Sequence, residues 1–140
     1  YTVDYARMAT LGKATDEQKR VHAAVLRVNQ ELMGALRPGV TCSEVHRTGV
    51  RAIQETGVSV DKPERLSGSR MGHGQGMLIT EPPSFAPEDQ TVLEPGMVVS
   101  TEPGVRSGDV YFQWEDVHAI TEGGYETLTL EADDLVEIPF

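Results

Sequence analysis

Two glutamates and one histidine carry the first hint of chemistry. Glu102 and Glu115 flank Gly104-Val105-Arg106-Ser107-Gly108-Asp109, a segment rich in turn formers. A hairpin centred near Gly108–Asp109 puts the two acids about equally far from the turn, and opposed hairpin residues share a face. Facing like charges destabilise a sheet unless something positive sits between them. A divalent cation would remove that conflict, since carboxylate oxygens suit hard and borderline metal ions. The alternative is a shifted register that leaves both glutamates solvated. His73 lies in Gly72-His73-Gly74-Gln75-Gly76. Glycine on either side lets the backbone approach a ligand or another strand and leaves the imidazole unshielded. The competing reading is a structural or surface histidine, which fits His22 and His46, each in a helical pattern flanked by charge. A phosphate loop is a weaker reading of the glycines, because no helix follows and the P-loop lysine is missing. Asp4 interrupts the strand-like run Tyr1-Thr2-Val3-Asp4-Tyr5, where propensity disfavours it. Such an acid sits on an exposed edge or is bound to something. Asp133-Asp134, Glu31 and Glu126 read as solvated surface.

These side chains need elements to place them. Tyr1–Tyr5 reads as a short strand. Thr15-Asp16-Glu17-Gln18 reads as a capping box that opens a helix with Val21, Val25, Val28 and Leu32 on its apolar stripe. Arg37-Pro38-Gly39 stops it. A second box, Thr41-Cys42-Ser43-Glu44, opens a helix with Val45, Gly49, Ala52 and Ile53 on its inner face, closed by Thr56-Gly57. Asp61–Ser69 is polar and irregular. Met71–Thr80 turns β-like, and Glu81-Pro82-Pro83 cannot continue a central strand because proline lacks the ladder donor. Leu93-Glu94-Pro95-Gly96 suits a type II turn. Met97–Glu102 and a long Val110–Thr121 read as strands. Glu122-Gly123-Gly124 turns the chain back through Tyr125–Leu130, and Glu131–Phe140 is ambiguous. The expected fold class is α+β, with helices on one side of an antiparallel sheet.

The sequence has 140 residues, a formal net charge of −10 and a single cysteine, Cys42. That length suits one domain able to bury about 70% of its unfolded surface. The acidic balance argues against a nucleic-acid or anionic-membrane partner. One cysteine forbids an internal disulfide, which fits a reducing compartment such as the cytoplasm. No run approaches the roughly 18–20 apolar residues of a membrane span. Tyr1–Thr10, with Asp4 and Arg7, lacks the basic-then-apolar plan of a secretory leader. Opening on Tyr rather than Met, the chain reads as a fragment or a processed product.

Taken in order, these residues resemble the pita-bread metallohydrolases, a superfamily that includes methionine aminopeptidase, aminopeptidase P, prolidase and creatinase. The likeness is greatest to the Xaa-Pro peptidase branch. Asp4-Tyr5-Ala6-Arg7 with Gly12 is similar to the segment D-x-(S/T)-R-T-x-x-x-G. Gly72-His73-Gly74-Gln75-Gly76-Met77 resembles G-H-G-I-G-L, and Glu81-Pro82-Pro83 falls where the family often has E-x-P. Leu93-Glu94-Pro95-Gly96-Met97 resembles L-x-P-G-M, and Ser100-Thr101-Glu102-Pro103-Gly104 resembles T-x-E-P-G. Glu115-Asp116-Val117 with Thr121-Glu122-Gly123-Gly124 resembles the last E-D-x-(V/I)…T-x-x-G block. The blocks keep the family's order across nearly the whole chain, residues 1–140, which the resemblance implies is the C-terminal portion of a pita-bread catalytic domain, incomplete at its N-terminus.

Carried over, the resemblance implies that Asp4, His73, Glu102 and Glu115 are four of five metal ligands. It implies two divalent ions (Mn, Co, Zn or Fe) about 3.5–4 Å apart with a bridging hydroxide as nucleophile. Glu102 and His73 would be catalytic, Glu102 passing a proton from the nucleophile to the leaving amine. The family's first aspartate ligand lies further upstream of the second than this sequence extends before Asp4. Two histidines that commonly contact substrate are replaced by Ser69 and Thr80, so these positions and Arg70 are the candidate substrate-binding residues. His118 is a further electrostatic candidate, and Gln113 stands where the family often has Arg. The implied function is a metal-dependent hydrolase, an Xaa-Pro dipeptidase or aminopeptidase P-like metallopeptidase acting on short peptides or small amides, cytoplasmic and a possible homodimer. The alternatives are a creatinase-like C–N hydrolase or lyase, and a non-catalytic pita-bread binding module.

Overall fold

The computed structural model describes residues 2–58, 70–130, 132 and 135–140. The polar stretch 61–69, Ser69 included, and the pair Asp133-Asp134 therefore lie outside the described residues. Both capping boxes form. Thr15 Oγ1 accepts from the Gln18 amide at 3.2 Å and Gln18 Oε1 accepts from the Thr15 amide at 2.8 Å, opening α1 (Asp16–Ala35). Thr41 and Glu44 repeat the arrangement at α2 (Cys42–Thr56), which closes on Gly57 at φ 66°. Val21, Val25, Val28 and Leu32 line the inner face of α1, and α2 faces it with Val45, Gly49 and Ile53. A methyl at Gly49 would stand 2.9 Å from Leu32, so glycine permits the close helix approach there. His22 and His46 are buried rather than on the surface, and His22 packs edge-on against Trp114 at 5.5 Å.

Five strands form an antiparallel sheet: β2 (Gly72–Gly74), β3 (Glu81–Ser84), β4 (Val98–Thr101), β7 (Asp116–Thr121) and β8 (Gly124–Thr127), in the order β3-β2-β4-β7-β8. Glu81-Pro82-Pro83 does enter this sheet, as an edge strand, where a missing ladder donor costs nothing. Gly96 adopts φ 93° in a turn closed by the Met97 amide on the Glu94 carbonyl at 3.2 Å, the expected Pro-Gly geometry.

The long strand expected over Val110–Thr121 is two strands. β5 (Gly104–Ser107) and β6 (Val110–Gln113) make a separate ribbon, while β7 joins the main sheet. The interruption lies at Trp114 and Glu115, opposite Pro103 and Glu102; Pro103 lacks an N–H, and its carbonyl accepts from the Trp114 amide at 3.2 Å. The described part of the segment Tyr1–Tyr5, residues 2–5, is not a strand either. Among the described residues of that segment, ladder contact begins only at the isolated bridge between Ala6 and Glu115. The ambiguous C-terminal piece contributes β9 (Val136–Ile138), paired in parallel with β1 (Ala9–Leu11).

The two faces of the sheet have different duties. Thr101 and Asp116 are register partners on one face, and both bond Asn29 of α1. His73 and Ser100, partners on β2 and β4, project to the other. The helices thus cover one side and leave the other for chemistry. Among the described residues, no helix is long and apolar enough to cross a membrane.

Candidate metal centre

Glu102 and Glu115 stand opposite each other because two ladders share one register. Thr101 pairs with Asp116 on the sheet side, and Gly104 pairs with Gln113 on the ribbon side. Carrying either ladder across the interruption sets Glu102 against Glu115, the arrangement expected from the hairpin. Residue alternation turns both carboxylates to the face that carries His73. His73 is held by its two neighbouring strands, with Ser84 and Ser100 as partners. A methyl at Gly74 would meet main-chain oxygens of Pro82 and Glu81 at 2.4 and 2.9 Å, so this strand crossing requires glycine.

The imidazole Nδ1 lies 3.0 Å from the Gly74 carbonyl oxygen, an acceptor, so Nδ1 carries the proton and Nε2 presents a lone pair. Nε2 lies 3.5 Å from Glu115 Oε1 and 3.7 Å from Glu102 Oε2. Asp4 completes the group: one ligand atom each from Asp4, His73 and Glu115 lies within 4.8 Å of the other two. Asp4 reaches the site on a segment held by the Gln75 side chain, which donates to the Asp4 carbonyl at 3.0 Å and accepts from its amide at 3.4 Å.

The donor set fits a divalent cation. His73 Nε2 and Glu115 Oε1 are both buried and lack a hydrogen-bond partner. Leaving buried polar atoms unmade costs about 1–3 kcal/mol each. A cation bound among an imidazole nitrogen and carboxylate oxygens satisfies both and offsets the convergence of acids.

Glu102 is differently placed. Arg70 Nε donates to its Oε2 at 3.3 Å and Gln113 Nε2 to its Oε1 at 2.8 Å. Burial raises the Glu102 pKa above the usual glutamate value, the Glu115 charge adds to this, and Arg70 opposes it. Burial disfavours protonated His73, but the Glu115 carboxylate and the Gly74 carbonyl outweigh it and carry the net shift upward.

Of the other sequence candidates, Arg70 reaches the centre through Glu102, whereas Thr80 sits exposed at the end of the segment after β2. His118 does not reach it. It is buried in β7 on the helix face, its Nε2 3.0 Å from Thr101 Oγ1 and its Nδ1 3.1 Å from Thr127 Oγ1, so it cannot supply charge to the site. Burial pushes its pKa down to about 4. Cys42 is buried, and burial with the nearby Asp89 charge pushes its thiol up to about 12, which leaves no thiolate for nucleophilic work.

Sequence reasoning placed Arg7 and Asp116 in matching blocks but did not join them to Asn29, Trp114 and Thr129 behind the centre. Asp116 accepts from Asn29 Nδ2 at 3.0 Å, Trp114 Nε1 at 2.8 Å, Thr129 Oγ1 at 2.7 Å, and Arg7. Burial alone would raise its pKa, but the bonds from Thr129, Arg7 and Trp114 hold it below the usual aspartate value. Asp116 is visible in the sequence as part of the Glu115-Asp116-Val117 block, but the bonds it accepts from Arg7, Asn29 and Thr129, all distant in sequence, are not.

Residues 1–122 match the family model described as metallopeptidase family M24. The chain belongs to metallopeptidase family M24. It is 31% identical over 140 residues to the Xaa-Pro dipeptidase of Lactobacillus delbrueckii subsp. lactis, covering 99% of this chain and 37% of that protein. Among solved structures, dipeptidase PepE from Mycobacterium ulcerans superposes with a TM-score of 0.86 at 26% identity, covering 97% of this chain and 36% of the other. The prolidase from Pyrococcus horikoshii OT3 does so with a TM-score of 0.82 at 28% identity, covering 94% and 37%. The M24 chain therefore has the pita-bread fold and spans little more than a third of the length of the relatives it matches.

Proposed function

We propose that the protein is an Xaa-Pro dipeptidase or aminopeptidase P-like metallopeptidase that hydrolyses the amide bond of a short peptide. The observation that supports this most directly is the pair of buried, unpartnered atoms His73 Nε2 and Glu115 Oε1, 3.5 Å apart and joined by Asp4. Asp4, His73, Glu102 and Glu115 would hold divalent metal. When bound, such ions lower the pKa of an attacking water and polarise the scissile carbonyl.

The chain's own groups supply orientation and proton transfer. The Gly74 carbonyl fixes the His73 tautomer, so the imidazole presents Nε2 without rearrangement. Glu102 is suited to take a proton from water at one carboxylate oxygen and deliver it to the leaving amine. Gln113 and Arg70 hold one carboxylate oxygen each, limiting rotation of the group. Arg70 also presents cationic surface at the edge of an otherwise acidic centre, where it can meet an anionic part of the substrate.

The test combines metal analysis with turnover. Incubated with Mn²⁺ or Co²⁺, the protein should retain metal through gel filtration and cleave a short Xaa-Pro peptide. Glu102→Ala should lower kcat at least about 100-fold, the scale of a lost general acid–base group. Metal retention without cleavage of any Xaa-Pro peptide, with the fold intact, would refute the peptidase reading and direct the search to small amidino and lactam compounds. Failure to retain metal would refute the metal centre.

A further inference from the structure

Asp4 has the least backbone support of the clustered acids. His73 lies in a strand with neighbours on both sides, and Glu115 links two ladders. Among the described residues, the main chain of the Asp4 segment meets that of Glu115 at the Ala6 bridge, whose two hydrogen bonds are long, 3.3 and 3.2 Å. Arg7 reinforces that crossing from the helix side. Its Nη1 donates to both carbonyls of the bridge, Ala6 at 2.9 Å and Glu115 at 2.7 Å. Its Nη2 donates to Asp116 and to the Leu130 carbonyl at 2.9 Å. The guanidinium lies 4.0 Å from the centroid of the Trp114 ring, and Trp114 itself bonds Asp116. Asp116 is tied through Asn29 to α1, so the clamp is anchored in the core.

We infer that Arg7 is a positioning residue of the metal centre, acting beside Gln75 and fixing the separation of the Asp4 and Glu115 carboxylates by locking their two main chains together. This rests on reading the cluster as a metal site. Four donors spread over two nitrogens of one rigid plane reach four acceptors on three segments. A lysine ammonium has three donors on one atom and no flat face to lie on Trp114, so charge alone does not reproduce the clamp. None of these four bonds goes to a side-chain atom of Asp4, His73, Glu102 or Glu115, so the influence of Arg7 on the metal runs through the bridge.

The test is Co²⁺ titration of the protein, followed by calorimetry and by the visible d–d absorption of the ion, with thermal unfolding as the measure of fold. Wild type should bind Co²⁺. Arg7→Lys should remain folded, bind at least tenfold more weakly, and show a shifted or altered d–d spectrum because the ligand geometry changes. Arg7→Gly with added ethylguanidinium should regain much of the wild-type spectrum, since a cavity of about 490 Å³ borders Arg7. Wild-type affinity and spectrum in Arg7→Lys would overturn the inference while leaving the metal centre standing. Loss of the fold in Arg7→Lys would overturn it too, as the clamp would then serve the fold rather than the ligands. Failure of wild type to bind Co²⁺ would instead strike the metal reading itself and remove the ground for this one.

Discussion

A methyl group at Gly74 would press on the main-chain oxygen of Pro82 at 2.4 Å, and backbone of a paired strand cannot swing aside. At Gly76 the contact is also 2.4 Å, but with the end of the Glu81 side chain, which can rotate away. The two substitutions should therefore differ. Gly74→Ala should destabilise by about 1–3 kcal/mol, as overpacking does, and weaken metal retention by displacing the carbonyl that sets the His73 tautomer. Gly76→Ala should cost less than about 0.5 kcal/mol, in the range of a tolerated surface change. Urea unfolding of the two variants checks this, and equal losses would show that the close approach is not what holds β2. At this scale much of the centre was legible in the sequence. Local propensity marks Asp4, flanking glycines mark His73 and like-charge repulsion marks the two glutamates; the structure groups Asp4, His73 and Glu115 within 4.8 Å and sets Glu102 Oε2 3.7 Å from His73 Nε2. Gln75, Gln113, Arg7 and Asp116 stand in or beside the same sequence blocks, but the bonds each makes depend on a partner distant in sequence, so their part in the site is not readable from their neighbourhoods.

Helices, turns and strands were legible to different degrees for one physical reason. A capping box and a Pro-Gly turn are satisfied by residues within the same few positions. Both Thr boxes and the Pro95-Gly96 turn accordingly form where local chemistry placed them. Strand limits depend on partners. Val110–Thr121 has strand-forming residues throughout, yet it divides at Trp114 and Glu115 because its opposite arm carries Pro103 and Glu102 there. That division is useful: it frees both glutamates from regular pairing while the two flanking ladders keep them in register. The α1 cap permits a clean test, since Thr15 accepts only a local amide and lies away from the centre. Thr15→Ala should cost about 1 kcal/mol and lower Tm by about 3 °C in a domain of this size. Unchanged thermal unfolding would mean that packing of the Val21–Leu32 stripe holds α1 without help from its first turn.

The molecule as a whole is acidic, yet its response to pH should be led in one range by a buried base. His118 is fully buried, with its pKa pushed down from 6.5 to about 4 by burial, against opposition from Asp116. Below pH 6.5 the unfolded chain takes up a proton there that the folded chain refuses, so acidification favours unfolding. The penalty grows as pH falls from about 6.5 towards 4 and is absent above that window. Between pH 7.5 and 5 it amounts to about 2 kcal/mol. Glu102 and His73 act in the opposite sense, because both have raised folded-state values and gain stability on protonation. Asp116, held low by its donors, loses its contribution only as pH drops below the ordinary aspartate value of 3.8. The wild-type slope is therefore a mixture, and the informative quantity is a difference. His118→Gln keeps an amide that can donate to Thr101 but removes the titrating group. Its stability relative to wild type, from urea unfolding at pH 7.5 and 5, should improve by about 2 kcal/mol on acidification. A difference independent of pH would show that folded His118 takes up its proton as the unfolded chain does and is charged at pH 5. Its Nδ1–H would then donate to the Thr127 hydroxyl, and the polar seam joining α1, β4, β7 and β8 would carry a positive charge.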